Sequence, residues 1–156
     1  MTAPSDNVMR AFTGYRLRRA TSAMLAPVGA ALTPFGLRRT TFSALSIIVD
    51  RPGSTQARLA DAMGMERPNI AQIVGELEAA GLVARARAQD DRRAYALRAT
   101  ETGRRIHARA WAAVAEVDRA LVRGLSRDER STLHRALALI ERNAAEVSDG
   151  TWVSRA

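Results

Sequence analysis

Between Ala57 and Leu97 the chain carries two short helical patterns, a glycine break between them and a pair of basic strands. That order leaves few folds open. Ala57, Leu59, Ala60 and Met63 form a short apolar stripe that Gly64 interrupts, with Ser54 placed to cap it. From about Arg67 to Ala80, the residues Ile70, Ile73, Val74 and Leu77 recur on one helical face, and Gly81 stops the run. Pro68 fits the first turn of this second helix, where a missing N–H is harmless. Two short helices across a tight glycine turn have the helix-turn-helix pattern. A generic hairpin in an all-α core has the same periodicity, so the pair alone leaves both readings open.

The next seventeen or so residues discriminate between them. Leu82 to Arg87 and Ala94 to Arg98 read as two short strands with partial alternation, joined by the polar loop Ala88-Gln89-Asp90-Asp91-Arg92-Arg93. A helix-turn-helix with a basic hairpin directly after it has the layout of a winged helix. Asp90 and Asp91 have an alternative reading as a carboxylate pair for metal or acid–base chemistry. No histidine, serine nucleophile or third acid lies near them in sequence.

The flanks read as longer helices. Val8 to Leu32 carries Leu17, Met24, Val28 and Leu32 at helical spacing, with Pro27 and Gly29 predicting a kink or break. Thr33-Pro34-Phe35-Gly36 is turn chemistry, and a helix is expected from about Arg39 to Val49. Thr100 caps a helix running to about Val122 through Ile106, Ala110, Val114, Val117 and Leu121. Ser126 caps a last one carrying Leu133, Leu137, Ile140 and Val147. The expected class is mainly α with a small β-hairpin wing. Its parts are N-terminal scaffold helices over 8–50, a winged helix-turn-helix lobe over 51–99, C-terminal helices over 100–147 and a loose tail over 148–156.

Charge points to the partner. All 24 basic residues are arginine, against 16 acids, giving a net charge of +8. Arg10 to Arg39 holds six arginines and no acid, hence +6; Arg85 to Arg109 holds eight arginines and three acids, hence +5. Guanidinium pairs bidentately with phosphate and keeps its charge, so two arginine clusters suit a polyanion. Solvated arginine faces are the ordinary alternative, but they do not account for the clustering. With no cysteine there is no disulfide, thiolate metal site or thiol nucleophile. Two histidines and no phosphate-binding glycine loop argue against an enzyme, a metal site or a cofactor. No apolar run approaches the roughly 18 residues of a membrane span, and no signal-peptide core comes after Met1 to Asp6, so a cytoplasmic protein is expected.

In the order of its parts the chain resembles the MarR family of winged-helix transcription factors, the multiple-antibiotic-resistance regulators. The resemblance runs from about Tyr15 to Ala145. It is most specific from Gly81-Leu82-Val83 through Asp91-Arg92-Arg93 to Thr100-Glu101-Thr102-Gly103, and continues in the run Leu59 to Arg67. It implies a homodimer built by the terminal helices, binding double-stranded DNA at a pseudopalindromic site. By position, Arg67, Pro68, Asn69, Ala71 and Gln72 would enter the major groove. Arg93 would enter the minor groove with Asp91 orienting it, and Arg85, Arg87 and Arg92 would contact phosphate. Gln72 departs from the arginine common there, and the helix becomes acidic at Glu76 and Glu78.

The same resemblance implies a crevice for a small aromatic or phenolic anion that releases DNA. Met24, Phe35, Phe42, His107 and Trp111 are its candidate lining, with core packing the alternative role for each. The function implied is a ligand-responsive repressor. The alternative is a winged-helix module for protein contacts with DNA binding reduced or lost.

Overall fold

The computed structural model describes residues 6–87 and 95–148. Its elements are α1 (Thr13–Leu32), α2 (Arg39–Asp50), β1 (Ser54–Thr55), α3 (Gln56–Met63), α4 (Arg67–Ala79), β2 (Val83–Arg87), β3 (Tyr95–Ala99), α5 (Glu101–Leu121) and α6 (Arg127–Ser148). Two short 3₁₀ turns, Met9–Ala11 and Thr33–Phe35, flank α1. The chain divides into two compact units, residues 1–118 and 119–156. The expected mainly helical architecture with a small antiparallel wing is present.

The first unit is built around α2, α3, α4 and the sheet. Leu45, Ile48, Leu59, Ile70, Val74, Leu77 and Leu97 are essentially fully buried in one cluster. Each such aliphatic side chain contributes about 1.5–3 kcal/mol relative to leaving it in water. Gly64 sits at φ 59°, ends α3 and turns the chain into α4, a left-handed conformation that costs a glycine little. The apolar face of α4 is the one read from its spacing.

Three local expectations are corrected. The N-terminal helix starts at Thr13 rather than Val8, and it continues through Pro27 without a break to Leu32. Ser54 does not cap α3; the Thr55 hydroxyl does, accepting from the Arg58 amide at 3.3 Å. Ser54 instead lies in an additional, unexpected strand. β1 pairs antiparallel with β3, Ser54 opposite Leu97, giving a three-stranded sheet of order β1-β3-β2. Two residues are too few to produce any alternation, so nothing local announces this strand.

The hairpin register sets Val83 opposite Ala99 and Arg87 opposite Tyr95. Thr100 then fastens α5 to the end of α4. Its hydroxyl donates to the Gly81 carbonyl at 2.7 Å and accepts from the Gly103 amide at 2.9 Å. In the second unit, Ser126 and Glu129 form a reciprocal cap at the start of α6, as the Ser-x-x-Glu spacing allows.

Candidate nucleic-acid interface and ligand cavity

Burying Ile70, Ile73, Val74 and Leu77 forces the opposite side of α4 outward. Arg67, Pro68, Asn69, Ala71 and Gln72 are accordingly all exposed. The helix thus brings these five together on one polar face. The Gln72 amide nitrogen donates to Glu76 Oε1 at 3.2 Å, and Glu76 Oε2 accepts from Arg38 Nη2. The Arg38 guanidinium holds the Glu76 carboxyl below the usual carboxylate range, so Glu76 is ionised near neutrality. Arg85 Nε donates to both oxygens of Glu78, each at 2.9 Å, so this expected phosphate contact is engaged by an acid at the end of α4. Asp91, Arg92 and Arg93 lie outside the described residues, as does the side chain of Arg87.

A second feature lies behind α2. A cavity of about 610 Å³ is lined by Ser46, Ile47, Val49, Asp50, His107, Ala108 and Trp111. Phe42 stacks on His107 at 5.9 Å between ring centroids, and Trp111 lies 6.3 Å from Phe42 and 5.8 Å from His107. Of the five residues expected at a crevice, His107 and Trp111 line this cavity, and Phe42 supports both. Phe35 packs against the core beneath the Arg109 guanidinium, 5.6 Å from its ring centre. Met24 is partly exposed on α1 and is not among the residues lining the cavity.

The cavity's polar chemistry centres on His107. Its Nε2 is 3.0 Å from Ser46 Oγ, and the Ser46 hydroxyl donates to the Phe42 carbonyl at 2.8 Å. With the serine proton so used, Nε2 is the donor and Nδ1 keeps a lone pair. Burial pushes the imidazole below its ordinary 6.5, so it is neutral at pH 7. A neutral ring with an acceptor nitrogen beside an apolar, aromatic wall suits a hydroxylated aromatic ring. Ser46 escaped sequence reasoning because its partner is 61 residues away. Glu76 was legible by spacing, four residues from Gln72 on a helix, but its bond to Arg38 was not.

The fold and the exposed face of α4 define a winged-helix DNA-binding protein. A sequence model of the MarR family matches residues 35–94. A candidate transcriptional regulator of the hcr operon in Thauera aromatica is 34% identical over 134 residues, covering 85% of this chain and 81% of that protein. The repressor CouR bound to a 23-mer DNA duplex is 32% identical, with a TM-score of 0.83, covering 90% of this chain and 99% of that one. CouR from Rhodococcus jostii RHA1 bound to p-coumaroyl-CoA is 30% identical, with a TM-score of 0.72, covering 90% and 94%. The chain belongs to the MarR family of transcriptional regulators. It is a DNA-binding regulator and not an enzyme.

Proposed function

We propose that this regulator is a homodimeric repressor. It holds a pseudopalindromic operator and releases it when a small aromatic anion, free or as a coenzyme A thioester, enters the cavity beside α2. The observation that carries this reading is the shared position of α2. Ser46, Ile47, Val49 and Asp50 wall the cavity, while Arg38 at the start of the same helix is bonded to Glu76 of α4. A ligand that displaces α2 therefore acts directly on the DNA-facing helix.

In this reading Asn69 and Gln72 read base edges, flanked in the major groove by Arg67, Pro68 and Ala71. Arg93 enters the minor groove with Asp91 orienting it, and Arg85, Arg87 and Arg92 hold phosphates. Arg85 would exchange Glu78 for phosphate. Segments 8–50 and 100–147 supply the dimer contacts and 51–99 the DNA lobe. Exposed apolar side chains support the dimer: Val8 at 81% and Phe12 at 62% in the first unit, with Leu121, Leu133, Leu139 and Val147 in the second. Among the described residues no single helix is long and apolar enough to cross a membrane. A regulator of this kind works in the cytoplasm.

The test is DNA binding monitored by fluorescence anisotropy, with p-coumarate, 4-hydroxybenzoate and their coenzyme A thioesters titrated in. At least one should release the duplex. His107→Ala with Trp111→Ala should abolish release while leaving DNA affinity intact. Release that survives both substitutions would place the effector elsewhere.

A further inference from the structure

Gln72 is exposed, and its amide nitrogen donates to Glu76 one turn along the helix. An ionised carboxylate only accepts hydrogen bonds, so Glu76 Oε1, 3.2 Å away, selects the nitrogen of that amide and rejects its oxygen. Glu76 is itself held, because its other oxygen accepts from Arg38 at the N-terminus of α2. Arg38, Glu76 and Gln72 thus form a surface chain of charge-assisted bonds from the start of α2 to the exposed face of α4.

We propose that Glu76 is a positioning residue for base recognition, fixing the Gln72 amide so that its oxygen and remaining N–H are presented together. An adjacent acceptor and donor match adenine in the major groove, which offers its N6 amino hydrogen beside the N7 lone pair. Guanine offers two acceptors at the same edge and would set an oxygen against the Gln72 carbonyl. One Glu76 oxygen accepts from Arg38 and the other from Gln72, so both of its bonds within the protein serve to orient its neighbours. The inference rests on α4 being the DNA-reading helix. It explains why an acid is useful on a face that approaches phosphate, where a carboxylate would otherwise only repel.

The experiment begins by selecting duplexes from a random pool with the wild-type protein, then measuring affinity for the consensus and for each single-base variant. One adenine per half-site should be preferred over the other bases by about tenfold. Glu76→Ala should erase most of that preference at that position alone, while binding to random duplex tightens because an acid has gone. Gln72→Ala should erase the same preference, and the double variant should lose no more than either single one. Glu76→Gln, which can still offer a carbonyl oxygen to Gln72, should restore most of the discrimination. A consensus that Glu76→Ala leaves unchanged would overturn the inference, as would equal weakening on consensus and random duplex. A wild-type protein that enriches no consensus would overturn the DNA-reading role of α4 itself, and this inference with it.

Discussion

Gly103 lies so close to Leu82 that a β-carbon on it would sit 2.0 Å from the Leu82 carbonyl oxygen. That oxygen also accepts from the Thr100 amide at 3.0 Å, so it cannot simply swing aside. The first turn of α5 therefore rests directly on the backbone that leads into the wing. Gly103→Ala would favour an isolated helix by roughly 1 kcal/mol. Here it should instead destabilise the protein by about 1–3 kcal/mol, through overpacking against backbone. Urea denaturation should show a lower midpoint with an unchanged slope.

Thr100 holds the same junction through its hydroxyl. Thr100→Val keeps the shape but removes the bonds to the Gly81 carbonyl and the Gly103 amide. Loss of a helix cap of this kind costs about 1 kcal/mol. The variant should melt lower, and DNA affinity should fall with it as the wing loses its anchor to the end of α4.

Asn69→Ala should weaken binding to the operator by about 1–3 kcal/mol and to scrambled duplex by far less. Asn69 is exposed and lies away from the buried stripe of α4, so the fold itself should be unaffected. Equal losses on both duplexes, measured by anisotropy, would make it a backbone contact.

Lowering the pH should act through His107. Its folded pKa lies below the ordinary 6.5, so the unfolded chain takes up the proton first. The stability linked to this group is complete above about pH 6.5 and is lost as pH falls through the lowered folded value. Protonation also turns Nδ1 from acceptor to donor. Release by a phenolic effector should weaken over the same window, and His107→Gln should flatten that dependence.

Sedimentation across a dilution series should find no folded monomer at micromolar concentration, since association and folding are linked in such a dimer. A compact monomer there would overturn the homodimer.

The α4 face was legible because four large apolar residues at helical spacing admit only one inward side. The hairpin was legible because two alternating runs flank a polar loop. These signals are carried within about ten or fifteen residues, where chain geometry alone relates neighbours. Of the kink or break expected at Pro27, the break does not occur. One lost N–H and one ring do not end a helix whose last turns, at Val28 and Leu32, pack onto the core.

Sequence alone thus determined the helix-turn-helix, the two-stranded hairpin after it, the exposed amides and the arginine clusters. Tertiary structure alone decided that Ser54 would pair with Leu97, that Ser46 would meet His107, and that Arg38 would reach Glu76. Those contacts join residues 38 to 61 positions apart, and each is set by how finished elements pack. No periodicity records such a meeting, because its partners are neighbours only after the core between them has closed.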